Sequence, residues 1–381
     1  MLYSAITPDD HIKRIEKTKA MMKERDLDLL LVYSDAWRSS NSRYLTGYKP
    51  YCGYFNVSGY SQALTVIPLE DDPKLFVCDF MTDWAARTIA GTTKEKPFIE
   101  IKKWLEIDDT IASYAGNGKQ RKVGLVGKEF VPWDLYESMR SNVSTEIQMT
   151  DLLDIQRRVK SQKEIKLLEM ASNINDLICE ELTHGIIRHG ITEKQVQRKI
   201  EELGHGYGAE YVDANFMKSR DLGWANATDA TIDDGDLLSL HVILQYDGYN
   251  SDNDRVFGFG KITKQEEELA EITKQAAKNF LSAVKPGASG MDAVIAACGT
   301  HDYVAAGEKS SGASGHGIGL DGEECGLISE WTFEEGMAFT MSTGAYNKEI
   351  ESTWATEDVV VVTESGARKL TKFPIDYIIK R

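Results

Sequence analysis

The sequence predicts a two-domain chain: an α/β unit over residues 1–155, then a second unit over residues 156–381. Three observations carry this. The chain has 381 residues, more than one domain of roughly 100–200 residues accounts for. Up to about residue 150, short apolar runs alternate with amphipathic stretches, as strands and helices do in α/β domains. Near Gln156 the pattern changes to long helical periodicity followed by strand-rich segments.

Taken in order, Asp9 to Arg25 reads as an amphipathic helix, with Ile12, Ile15, Ala20 and Met21 near one face. Leu27 to Tyr33 reads as a buried strand. Ala63 to Leu69 and Lys74 to Asp79 read as two more, separated by the turn-forming Glu70-Asp71-Asp72-Pro73. Thr82 to Ala90 is helical, Lys122 to Gly127 a short strand, and Trp133 to Met139 a helix. After the boundary, Ser161 and Glu164 form a capping-box pair ahead of a helix reaching about Thr183. GITEKQVQRKI from Gly190 and GASGMDAVIAA from Gly287 echo one another. Each follows a long helical stretch, Glu164–Thr183 or Lys264–Val284, and precedes strand-rich sequence. A duplicated helix–helix–strand unit is the expectation.

Composition narrows the function classes. With 60 acidic against 44 basic residues the net charge is −16, which repels nucleic acids and anionic membranes. It suits a small cationic or zwitterionic substrate. The five cysteines are scattered without a CxxC pair, against both a disulfide framework and a thiolate zinc site. The N-terminus has no apolar signal core, and the run Leu29 to Tyr33 is too short to span a bilayer. A cytoplasmic location is expected.

Three segments carry candidate chemistry. Asp236 to Phe259 reads as a hairpin turning at Asp247-Gly248, with His241 and Asp252 on its two arms. GHGIGL, Gly315 to Leu320, presents His316 among glycines, a setting with no evident packing purpose. Thr356-Glu357-Asp358 leads into the apolar run Val359 to Val362, placing a carboxylate at the mouth of a buried strand. Imidazoles and carboxylates from separate strands hold Zn, Mn or Fe, and also serve as acid and base.

With RVKSQKEIKLLEMA (Arg158 to Ala171), RYLTGY (Arg43 to Tyr48), GYNSDNDR, GHGIGL, EEGMAFTM and TEDVVVVTESG in this order, the whole chain resembles the pita-bread metallopeptidase/creatinase family. That family includes creatinase, prolidase, aminopeptidase P and methionine aminopeptidase. The resemblance implies an α/β N-terminal creatinase/prolidase-type domain and an α+β pita-bread C-terminal catalytic domain. The family's peptidases bind metal through two Asp, one His and two Glu. Asp252 matches the second Asp, His316 the His and Glu357 the last Glu. His241 and Ser342 stand where the first Asp and first Glu belong. Trp224 replaces a substrate-binding His, and Glu323 a second His.

The resemblance therefore implies at most one divalent metal (Zn, Mn or Fe), held by His241, Asp252, His316 and Glu357, or none. GDLLSLH and LTKFPIDYIIKR are similar to stretches of creatinase, the family's metal-independent member, whose carboxylate for a cationic group matches Asp254. Creatinase's shuttle His is Trp224 here, and its substrate-binding arginines have no counterparts. The expected function is a creatinase-like hydrolase cleaving the C–N bond of a small non-peptide substrate. His316 or His241 would act as acid/base with Glu357. Asp254, Trp224 and Glu323 would bind substrate, together with Tyr54 and Phe55 of the 51–60 loop. That loop is expected to reach the partner's site in a homodimer. The alternatives are a lyase on a small zwitterion, a non-catalytic binding module and a residual Xaa-Pro dipeptidase.

Overall fold

A computed structural model describes residues 5–52, 59–90, 97–218, 224–298 and 309–379. The chain divides into two compact units, 1–156 and 157–381.

The first unit is built on a six-stranded mixed sheet. Its strands run in the order Glu100–Lys103, Lys74–Val77, Gln62–Pro68, Leu29–Asp35, Val123–Val126, Ile147–Met149. The two-residue period of a strand decides which side chains meet which helices. Leu29, Leu31 and Tyr33 face one way and join Ile107, Ile111 and Met139 from the helices Ile107–Ala115 and Trp133–Ser141. Leu75, Val77 and Ala63 join a second core with Ala85 and Ile89 of the helix Thr82–Ala90. Pro8–Glu24 is the predicted first helix; Pro at N1 and the Thr7–Asp10 capping box start it.

The second unit holds an eleven-stranded sheet and the two predicted helix pairs. Gln162–Glu181, capped by Ser161 and Glu164, is followed by Glu193–Gly206, capped by Thr192. Lys264–Ala283 is followed by Gly290–Cys298. Leu237–Tyr246 and Tyr249–Phe259 form the predicted hairpin. Asp247 (φ 46°) and Gly248 (φ 88°) supply the two positive-φ positions of its two-residue turn. Ala338–Asn347 and Ser352–Thr363 form a second long antiparallel pair, joined to the first where Tyr249–Phe259 meets Ser352–Thr363. Glu357 therefore lies mid-strand. The sequence expectation put it at a strand mouth because the apolar run Val359–Val362 hides the earlier start at Ser352.

Among the described residues, no helix is long and apolar enough to cross a membrane.

Candidate metal centre

Strand periodicity builds the site. Leu238, Leu240, Val242 and Leu244 pack into the core that contains Ile174, Ile178 and Ile200. Phe339, Met341, Val360 and Val362 pack into the core that contains Ala276, Phe280 and Ala293. Residues one step out of phase take the opposite face of the sheet, and these include His241, Asp252, Asp254, Thr340, Ser342 and Glu357. Register then lines several of them up. Asn215, His241, Asp254, Glu357, Ser342 and Ser314 form one cross-strand row, each opposite the next. Adjacent members of such a row stand about 5 Å apart.

Asp252, Asp254 and Glu357 are buried; His241 and His316 keep side-chain exposures of 19% and 17%. His241 Nε2 is 2.7 Å from Asp252 Oδ1 and 3.9 Å from Asp254 Oδ1. His316 Nε2 is 3.8 Å from Asp252 Oδ2 and 3.5 Å from Glu357 Oε1. The other nitrogen of His316 is committed: Nδ1 lies 3.1 Å from the Gly317 carbonyl, which can only accept, so Nδ1 carries the proton. Nε2 of His316 then faces the carboxylates, as in a metal-ligating histidine whose other nitrogen is held by a carbonyl.

Packing three carboxyls together perturbs them. Burial and then the charge of Asp252 push Glu357 up to about 7. Burial and the charge of Glu357 hold Asp254 well above the usual carboxylate range. Burial opposes a charged His241, but the hydrogen bond to Asp252 and the charges of Asp254, Asp252 and Glu357 prevail and raise it to about 9.

These groups fit a divalent cation. Asp252, His316 and Glu357 each offer one ligand atom, all within 4.8 Å of one another; His241, Asp254 and Glu357 do the same. Bonds of about 2.1 Å to a tetrahedral ion put neighbouring ligand atoms about 3.4 Å apart, and the His316–Glu357 separation is 3.5 Å. Imidazole with carboxylate suits Zn, Mn or Fe.

The surrounding structure holds these candidate ligands in place. Arg255, fully buried, donates from Nη1 to the Asp254 carbonyl (2.7 Å), the Glu357 carbonyl (2.8 Å) and Thr356 Oγ1 (3.0 Å), and pairs with buried Asp358. It thus clasps the two ligand strands from the helix side. Asn175 Nδ2 donates to the Val242 carbonyl (3.2 Å) and Ser251 Oγ (2.9 Å), clasping the hairpin. Thr340 Oγ1 accepts from the His316 N–H at 3.3 Å and is also hydrogen-bonded to Glu357. Sequence reading missed these three residues. Only Thr340 carried a signal, since it stands two residues before Ser342 and so shares its face.

The glycines around His316 do have a packing purpose, contrary to expectation. A Cβ at Gly315 would lie 2.1 Å from the Thr340 carbonyl oxygen, and one at Gly317 would lie 2.3 Å from that of Glu324. Backbone fills the space a side chain would take.

The structure brings together His241, Asp252, Asp254, His316 and Glu357. Trp224 belongs with them: its ring lies 5.4 Å from that of His241, tilted by 39°. Glu323 is exposed on the turn before the strand Glu324–Leu327. Its acidic neighbours are not a free cation site. Glu324 is buried against Arg157 and Lys160, and Asp321 accepts from Arg157 at 2.9 Å. Burial alone would raise Glu324, but the two cations hold it at about 2. Tyr54 and Phe55 lie outside the described residues.

Residues 166–364 match the model of metallopeptidase family M24, and residues 14–159 match the creatinase/prolidase N-terminal domain. An Xaa-Pro dipeptidase from Pyrococcus horikoshii is 26% identical, the match covering 94% of this chain and 97% of the relative. One from Pyrococcus furiosus is 27% identical, covering 94% and 98%. The solved prolidase of Pyrococcus furiosus superposes with a TM-score of 0.74 at 25% identity, covering 93% of this chain and 99% of that one. The creatinase-like expectation is thereby corrected: likeness over nearly the full length runs to Xaa-Pro dipeptidases, not to a hydrolase of non-peptide C–N bonds. The short stretches GDLLSLH and LTKFPIDYIIKR were too local to decide substrate class. The chain belongs to metallopeptidase family M24, with a creatinase/prolidase N-terminal domain ahead of a pita-bread domain.

Proposed function

We propose that the chain is a metal-dependent hydrolase of small peptides, of the Xaa-Pro dipeptidase type. One observation carries the reading. Asp252, His316 and Glu357, from three different strands, converge within 4.8 Å with Nε2 of His316 facing the carboxylates.

A divalent ion bound there supplies Lewis acidity toward the scissile carbonyl and activates water. The protein does the rest. Asp252 Oδ1 is held by His241 Nε2 at 2.7 Å, which leaves Oδ2 facing His316 at 3.8 Å. Thr340 fixes both the His316 backbone and the Glu357 carboxyl. Trp224, packed on His241, provides an apolar rim that shelters the imidazole from water and offers a surface for a pyrrolidine ring. His316 serves here as a ligand, as the sequence allowed, and His241 holds Asp252 through its Nε2 rather than acting as the acid/base. A dipeptide is a zwitterion, so the expectation of a small zwitterionic substrate is kept while the non-peptide bond is dropped. A homodimer belongs to the same proposal.

The test is a substrate panel. Chelator-stripped protein is reloaded with Mn²⁺, Co²⁺ or Zn²⁺ and offered Xaa-Pro dipeptides, other dipeptides, tripeptides and simple amides. Release of proline only after reloading, and its loss in Glu357→Gln, supports the reading. Failure to cleave any dipeptide with every metal refutes it.

A further inference from the structure

The two halves of the candidate centre stand on separate hairpins, and almost no backbone ladder joins them. Ten residue pairs hold Leu237–Tyr246 to Tyr249–Phe259, and ten hold Ala338–Asn347 to Ser352–Thr363. Between the two hairpins, among the described residues, a single pair is made, Asp254 opposite Glu357. From Val256 onward the strand Tyr249–Phe259 takes a different neighbour, the C-terminal strand Asp376–Ile379. The sheet therefore forks beside Glu357. Asp252 lies on one hairpin; Glu357 lies on the other, with His316 on the strand that pairs with it. A shift of one residue along the junction would move Asp252 from the other two by about 3.3 Å, enough to break a bond of about 2.1 Å to a shared ion.

Arg255 sits in the fork. It is fully buried, and its rigid array of N–H donors reaches all three sides. Nη1 donates to the Asp254 carbonyl on one hairpin (2.7 Å), and to the Glu357 carbonyl (2.8 Å) and Thr356 Oγ1 (3.0 Å) on the other. Nη2 pairs with Asp358, so three consecutive residues of the second hairpin are held at once. Nε donates to the Phe373 carbonyl of the C-terminal segment at 3.1 Å. The N–H groups of Lys372 and Phe373 are themselves held by Asp176 of the helix Gln162–Glu181. Asn253 Nδ2 adds a second, longer bond to the Glu357 carbonyl at 3.3 Å. Side chains thus replace, at this junction, the ladder that joins strands elsewhere in the sheet. A buried ion pair is by itself weak evidence for stability, since apolar residues of similar volume often serve as well. An apolar pair would not fit one register alone, and this set of donors does.

We infer that Arg255, seconded by Asn253, is a positioning residue of the metal centre. It fixes the register of the two hairpins, and with it the distance of Asp252 from His316 and Glu357. It acts through the backbone of Asp254 and Glu357 and touches neither ion nor substrate. The role rests on the reading of Asp252, His316 and Glu357 as a metal centre, and it is separable both from the substrate and from a general contribution to stability.

Two substitutions take the functions of the guanidinium apart. Arg255→Lys keeps a cation beside Asp358, but its compact ammonium does not bridge both carbonyls. Asp358→Asn removes the charge partner and leaves the clasp on Asp254 and Glu357. Full-length proteins stripped with chelator are titrated with Mn²⁺ by calorimetry, and melted in EDTA. Arg255→Lys should lose Mn²⁺ affinity about 10- to 100-fold, as loss of a group that orients a ligand does. At saturating Mn²⁺ it should lower kcat for a cleaved dipeptide and leave KM unchanged. Asp358→Asn should melt well below wild type, as a broken buried pair requires, yet bind Mn²⁺ within about twofold of it. Asn253→Ala disturbs no ion pair and should weaken Mn²⁺ binding in the same direction; it carries the test if Arg255→Lys does not fold. Affinity that falls in step with melting temperature across the variants overturns the positioning role, as does wild-type affinity in both Arg255→Lys and Asn253→Ala. The expected affinities without any dipeptide cleavage keep the role and discard the substrate reading. Dipeptide cleavage with affinities that follow melting temperature does the reverse. Wild type that binds no Mn²⁺ overturns both.

Discussion

Ser342 and Glu357 face each other across adjacent antiparallel strands. A hydroxyl thus stands beside the one carboxylate that both candidate ligand groups share. Ser342 is only partly buried, so a longer side chain has room to reach outward. Ser342→Glu adds an acceptor next to Glu357, with two consequences of opposite sign. Affinity for Mn²⁺ should rise at least several-fold, because each added carboxylate strengthens a hard-cation site. Melting temperature in chelator should fall, because a further like charge enters the carboxyl cluster. Titration calorimetry and thermal melts check the pair; unchanged affinity would show that position 342 lies out of ligand reach.

The metal-free protein should lose stability as pH rises. Glu357 is raised from 4.5 to about 7, so the folded state favours its protonated form and stability drains away between those values. His241 is raised from 6.5 to about 9; its contribution is complete below 6.5 and is lost as pH climbs through 9. The two windows have the same sign and adjoin. A melt series in EDTA should therefore decline from pH 5 to pH 9. Saturating Mn²⁺ should flatten the curve at neutral and higher pH, because a cation replaces the protons. A flat series in EDTA would contradict the crowding of carboxyls described above.

Glu324→Gln should destabilise the second unit by about 3–5 kcal/mol, the usual cost of breaking a buried ion pair from one side. Lys160 would be left buried with a neutral partner, and Arg157 with Asp321 as its remaining anion. The sign with pH is the reverse of the previous case. Glu324 is depressed to about 2, so its contribution is full above 4.5 and disappears as pH falls toward 2. The deficit of the variant, measured by urea unfolding, should therefore be larger at pH 7 than at pH 3.

Gly315→Ala should disturb the centre without touching a ligand. The added methyl meets the Thr340 carbonyl at 2.1 Å, which must push apart the segment carrying His316 and the strand carrying Thr340. Ion affinity should fall at least tenfold with modest change in far-UV circular dichroism. An unaltered affinity would show that His316 is positioned by something other than this close approach.

Much of this was legible in the sequence, for identifiable reasons. The hairpin, the capped helices and the alternation of the first unit follow from local rules of period, turn and cap. Asp252, His316, Glu357 and His241 stood out because their motifs are contiguous. The pairing that joins the two hairpins, Asp254 opposite Glu357, was not legible, because register between strands a hundred residues apart leaves no local trace. The same limit hid Arg255, which reads as an ordinary basic residue until its two clasped carbonyls are seen. Glu323 misled for a related reason: burial falls on its neighbour Glu324, and adjacent residues of one type cannot be told apart by composition.

Asp252, His316 and Glu357 converge from three strands as a metal centre would require. Anomalous diffraction from crystals grown with Mn²⁺ tests that centre most directly. A peak is predicted between Asp252, His316 and Glu357. An anomalous map with no peak among these residues, from protein shown to be saturated with Mn²⁺ in solution, would contradict it.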